Sequence, residues 1–286
     1  DKITKALWER WADAIVFNTD NKPQELAEID AMLLTQAFAY ASEKLFARLA
    51  EELNDDVNEY RLAQLLRRFS NAPADPLETI LVNFFETLSP ESNNFFVALE
   101  FLIHRHVQAA QIIAFSHLET LSTNDTNRLV KRRILSIVSK YSDNAAWWSH
   151  FWSLLEADSA NQREYLKAII DWHNNPYLRY LDENELCDLY KLAVNIYPYS
   201  EDQEFHGGSV PDCHIKQEWR DSILSELAGR GTRTGISFLT TLVTEQPPTP
   251  SFNYLLHQAW ERYRTESWNP PQPSTVLRLA SDSQKH

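Results

Sequence analysis

The feature that most constrains this chain is where its glycine lies. All five glycines fall between Gly207 and Gly235, and the first 206 residues contain none. Glycine supplies the positive-φ positions of tight hairpins and the close backbone approach of phosphate-cradling loops. A long glycine-free stretch rich in Leu, Ala and Glu points to helices. No Gly-Lys-Ser or Gly-Lys-Thr segment occurs, which removes a Walker loop, and a dinucleotide-binding fold falls for the same lack of glycine.

Apolar residues make up 43% of the sequence and include nine tryptophans, enough for an extended core. Forty acidic against 27 basic residues give a formal charge of −13, which repels phosphate backbones. Nucleic acid is therefore not the expected partner; protein is. Two cysteines, Cys187 and Cys213, do not form the framework of a small secreted domain. No apolar run approaches the roughly 18–20 residues that span a bilayer, so no membrane partner is expected either. With no signal peptide in view, the expected location is the cytoplasm. The chain starts at Asp1 and its only methionine is Met32, the pattern expected of a segment of a longer protein.

Helical periodicity runs almost without interruption. Ile3, Leu7, Trp8, Trp11 and Ile15 recur at helical spacing, and a longer run passes through Leu26, Ile29, Leu33, Phe38, Leu45 and Leu49. A helix is predicted over 58–69, and another behind Asp75 as N-cap with Pro76 at the first position. Further starts are read at Ser89, Asn124, Asp143 or Asn144, Ser159 and Asp182, the last with Glu185 completing a capping box. A helical hairpin then takes roughly 35 residues, the length of units that bury their apolar faces only by stacking. The expected fold is all-α, a superhelical array of helical hairpins of the α-solenoid (HEAT/TPR-like) kind. Its expected division is N-terminal helices over 1–57, a repeat array over 58–196, a long loop near 197–215 with terminal helix pairs to 268, and a proline-rich exit over 269–286. An irregular helical domain is the competing architecture.

Chemistry is sparse. His206, Asp212, Cys213 and His214 could ligate zinc, but adjacent Cys213 and His214 reach one ion awkwardly, so an ordered structural loop is the better reading. That loop, with His206, Gly207, Gly208, Asp212 and His214, is the candidate interaction loop. His104 and His106 diverge on a helix and are placed at its end with Arg105. Cys187 is placed on a buried helix face, without the base or oxyanion hole that catalysis needs. Trp147, Trp148, Trp152 and Trp172 could stack sugars, yet at helical spacing they read as core. The one electropositive stripe is Arg128, Lys131, Arg132 and Arg133, against the alternative of a solvated face balanced by nearby acids. No catalytic residue, metal or cofactor is expected.

The stretch "EWRDSILSELAGRGT", Glu218 to Thr232, makes physical sense as a helix with its stop and the next start. Trp219, Ile223, Leu224 and Leu227 share one face, Gly229 or Gly231 can end the helix, and Thr232 can cap the following one. Arg220 and Asp221 point elsewhere and are expected to tie down the preceding loop. The stretch resembles a motif near the end of the helical region of large bacterial STAND-class (NACHT-like) P-loop ATPases linked to phage defence. The matching residues are Trp219, Arg220, Asp221, Ile223, Leu224, Leu227, Arg230, Gly231 and Thr232, with "LYKLAVNIYPYSEDQEF" before them and "SWNPPQPSTVLRLA" after. The resemblance covers residues 182–280. "HGGSVPDCH" departs from it, with glycines after rather than before the histidine.

The resemblance implies an NTPase module upstream and often a nuclease-like effector downstream, neither of which lies in this sequence. The expected function is a non-catalytic scaffold or sensor segment of such an ATPase, working by protein recognition or by autoinhibitory packing. The alternatives are a stand-alone helical adaptor and an all-α hydrolase with a carboxylate groove.

Overall fold

The computed structural model describes residues 2–17, 27–171, 175–199, 212–245 and 250–267. These contain thirteen α-helices and no strand. The chain forms two compact units that part between Ile169 and Ile170, inside the expected 58–196 array. The first holds α1 (Lys2–Val16), α2 (Ala27–Asn54), α3 (Glu59–Arg68), α4 (Ala74–Thr87), α5 (Asn93–His104), α6 (Gln108–Thr120), α7 (Asp125–Tyr141), α8 (Trp148–Ala157) and α9 (Gln162–Ile169). The second holds α10 (Glu183–Ile196), α11 (Asp212–Arg230), α12 (Arg233–Glu245) and α13 (Pro250–Ser267).

Packing in the first unit is solenoid-like. α3, α5, α7 and α9 contact one another in succession, and so do α2, α4, α6 and α8. Sequential contacts join the two rows, so each helix pair buries its apolar face on the pairs before and after it. Leu62, Leu65, Leu66 and Phe69 are buried on α3 and its C-cap, as are Ile134, Leu135 and Val138 on α7. Trp147 and Trp148 lie in the core with Phe151 and meet edge-on, which gives them a packing role, while Trp172 lies outside the described residues.

Three helix starts with a capping side chain fall where the sequence puts them. Asn58 accepts from the Arg61 amide at 2.9 Å, and Asn124 from Asn127 at 2.8 Å. Asp182 and Glu185 exchange both bonds of a capping box at 2.8 Å each. Other starts shift. α4 begins at Ala74 behind Pro73, so Asp75 sits in the first turn rather than at the cap. Proline is tolerated there because first-turn amides have no intrahelical acceptor, and Asp75 favours the positive helix end. Ser89 only closes a turn, and Ser92 caps α5 by accepting from Phe95 at 3.2 Å. Asn144 likewise forms a turn ahead of α8, and Ser159 opens a single 3-10 turn before α9.

The N-terminal helices also correct the periodic reading. α1 turns Ala12 and Val16 inward, while Leu7 and Trp11 stay 48% and 59% exposed. Trp8 stacks on Tyr40 at 6.4 Å, which fixes this choice of face. In α2, Phe38, Leu45 and Leu49 are buried but Ile29 and Leu33 are exposed. Ala41, with φ −132° and ψ 22°, kinks α2 between Phe38 and Leu45.

Arginines tie the loops of this unit to its helices. Arg61 donates to the Phe17 carbonyl at 3.1 Å, and Arg68 pairs with Asp30 and the Ile15 carbonyl. Arg105, at the end of α5 as expected, donates to the carbonyls of Ser70 and Ala72 at 2.6 and 3.2 Å. Beyond it His106 takes φ +61°, and His106 and Val107 close a Schellman-type end on Ile103 and Leu102.

Candidate functional site

The residues of the 218–232 stretch lie on and just beyond α11, which packs on α10, α12 and α13 in the second unit. α11 begins at Asp212, so the expected 197–215 loop is shorter by a turn and Asp212 and His214 belong to the helix. His206, Gly207 and Gly208 lie outside the described residues. The apolar face of α11 is as read: Trp219, Ile223, Leu224 and Leu227 are fully buried.

Each polar member of the stretch is anchored to a different element. The Trp219 indole donates to the Tyr177 hydroxyl at 2.7 Å. Tyr177 follows Pro176 in a short 3-10 turn, and burial pushes its hydroxyl well above the usual tyrosine range, partly offset by the Trp219 bond. Arg220 is 0% exposed. Its guanidinium donates to the Tyr197 carbonyl and lies 4.1 Å from the centre of the Tyr199 ring. Lys216, one turn earlier, sits over the Tyr197 ring at 4.6 Å. The arginine thus holds the segment that follows α10 at Tyr197 and Tyr199; residues 200–211 of the expected loop lie outside the described residues.

Tyr199 gathers several of these contacts. Its hydroxyl meets that of Tyr190 at 2.8 Å, and its ring meets Phe252 of α13 edge-on at 6.0 Å. Burial, then the bond to Tyr199, raises the Tyr190 hydroxyl far above its ordinary value, and the Asp221 charge acts in the same direction. Cys187, near Tyr190 on α10, is buried and its thiol is pushed up to about 11, the opposite of an activated nucleophile.

The end of the stretch is equally committed. Arg230 donates to the carbonyls of Leu181 and Leu178 at 2.6 and 2.9 Å and to Glu226 at 3.0 Å. Gly231 adopts φ +59°, and a Cβ there would lie 2.7 Å from Arg262 Cγ and 2.8 Å from the Tyr263 amide nitrogen. Only glycine allows both the turn and the close approach to α13. Thr232 caps α12, accepting from the Gly235 amide at 3.2 Å.

The four basic residues of α7 do not share a solvent-facing stripe. Lys131 is only 3% exposed. Arg128 pairs with Asp125 and donates to Asn161, while Arg132 meets Glu164 at 2.9 Å. Arg133 lies 3.8 Å over the Phe96 ring and donates to Asn93 at 2.8 Å. The reason is position: α7 packs between α5 and α9, so Arg128, Lys131 and Arg132, three and four residues apart, face the 158–164 segment, while Arg133 reaches α5. Among the described residues, no group of three or more His, Cys, Asp and Glu could hold a metal ion, and no helix is long and apolar enough to cross a membrane.

Set beside known protein families, curated proteins and solved structures, the chain matches none of them. What the geometry adds to the sequence is the set of partners that no spacing announces. Tyr177, Tyr197, Tyr199 and the Arg262–Tyr263 backbone are distant in sequence from the residues that meet them. The only local hint was the density of tyrosines in "YLRYLDE" and "IYPYS".

Proposed function

We propose that this chain is a non-catalytic helical scaffold or sensor segment of a STAND-type defence ATPase, acting by protein recognition or by autoinhibitory packing against the ATPase module. One observation carries the reading. Trp219, Arg220, Arg230, Gly231 and Thr232, which bear the resemblance, are all engaged in holding helices and turns together. A motif spent on internal architecture fits a part whose work is done by its surface. In that role, a ligand that binds one arrangement more tightly than another shifts the balance between them.

The test is complex formation between this chain and the P-loop module of its own reading frame, followed by light scattering and calorimetry. A saturable complex is expected. A reading frame without a Gly-x4-Gly-Lys-Ser/Thr segment, or a module that does not bind, overturns the proposal in favour of a stand-alone adaptor.

A further inference from the structure

A cleft of about 380 Å³ opens in the first unit along α3 and α5, with Tyr141 of α7 in its wall. Leu66 is buried and Val97 and Phe101 are half-buried, while Arg67, Glu100 and His104 are exposed around them. Val97, Glu100, Phe101 and His104 share one face of α5, so a single helix supplies apolar floor and polar rim together. His104 meets the Tyr141 ring edge-on at 6.0 Å.

The other arginines of α3, α7 and the end of α5 are engaged. Arg61, Arg68, Arg105, Arg128, Arg132 and Arg133 hold carboxylates, carbonyls, amides or a ring. Among the described residues, the side chains of Arg67 and Glu100 make no hydrogen bond, ion pair or ring contact. Two opposite charges thus line one cleft without pairing, over a floor that is apolar and partly aromatic.

We propose that this cleft docks a short peptide segment of a protein partner. An aliphatic or aromatic side chain packs on Leu66, Val97 and Phe101, and a neighbouring carboxylate pairs with Arg67. The volume, near the lower end of ligand pockets, suits one or two side chains rather than a helix. A guanidinium's planar fork matches a carboxylate in two parallel bonds. Glu100 then faces the backbone amides of the docked segment. The inference rests on the recognition part of the function proposed above and names its site and ligand chemistry.

The test uses the whole chain and two probes, acetyl-Leu-Trp-Asp-amide and its Asn counterpart, titrated to about 10 mM and followed by chemical shifts of the Ala63 and Val97 methyls. The Asp peptide is expected to bind about five-fold more tightly than the Asn peptide. Arg67→Gln should bring that ratio to about one while leaving the Asn peptide's affinity unchanged. Ala63→Trp, which fills the cleft from an exposed position, should abolish binding of both with the melting temperature unchanged. No saturable shift for either peptide overturns the inference, as does a preference for Asp that survives Arg67→Gln. Because no ATPase module is present, these outcomes are independent of the complex-formation test.

Discussion

Gly229 and Gly231 stand two residues apart, yet the same substitution should move stability in opposite directions. At Gly231 an added Cβ meets two obstacles. The backbone has φ +59°, where a side chain costs about 1–2 kcal/mol. The Cβ would also lie 2.8 Å from both Arg262 Cβ and the Tyr263 amide nitrogen, neither of which moves without α13. Overpacking of this kind costs about 1–3 kcal/mol, so Gly231→Ala should destabilise the second unit by roughly 3 kcal/mol. At Gly229 nothing lies within 4 Å of the added Cβ, and the residue is in helix α11. Gly229→Ala should therefore stabilise by up to about 1 kcal/mol. Urea unfolding, with hydrogen exchange resolved over 212–245 and 250–267, measures both, and the first unit serves as internal control. If Gly231→Ala lies within about 0.5 kcal/mol of the parent, the close approach of α11 and α13 is wrong.

Three further predictions come from buried polar groups. Arg220→Ala should speed amide exchange at Ile196–Tyr199, where Tyr197 loses its bond to the guanidinium; unchanged protection there would refute the grip. Lys131→Met should stabilise the first unit by up to about 0.5 kcal/mol at neutral pH, because it keeps the buried stem and removes a partly desolvated ammonium. Burial lowers the Lys131 pKa in the folded state from 10.5, although Asp158 opposes it, so the unfolded chain holds the proton more tightly. Stability of the parent therefore rises with pH just below 10.5, and the advantage of Lys131→Met should shrink across that window; a constant difference would show that burial of the charge is not the cause. In a Cys213→Ser background, Cys187 should react with a thiol reagent at pH 8 only as fast as the second unit opens. Labelling as fast as a free peptide thiol would contradict its burial and its raised pKa.

Local chemistry was the legible part of this fold. Asn58, Asn124 and Asp182 cap the helices that follow them because a cap is decided by atoms three residues away. Thr232 was readable as a start for the same reason, and the stop as Gly229 or Gly231, of which Gly231 takes the positive φ. Choice of face was not legible where two stripes of one helix are apolar. In α1 the stripe through Leu7 and Trp11 competes with that through Trp8, Ala12 and Val16, and only the docking on α2 selects the latter. Burial of Lys131 escaped for a related reason, since charge alone suggests exposure and the packing of α7 between α5 and α9 is long-range. Within the candidate site, the long-range halves of the contacts were hidden. Trp219 with Tyr177 and Arg230 with Leu178 span more than forty residues, a separation that no periodicity encodes.

The function proposed above has this chain act on an ATPase through its surface and perform no chemistry of its own. Its most direct test is steady-state ATP turnover by the P-loop module of the same reading frame as this chain is titrated in. The account predicts no turnover by the chain alone and a saturable change in the module's rate at the concentration where the complex forms. A rate that stays flat while the complex saturates, or hydrolysis by the helical chain itself, would contradict it.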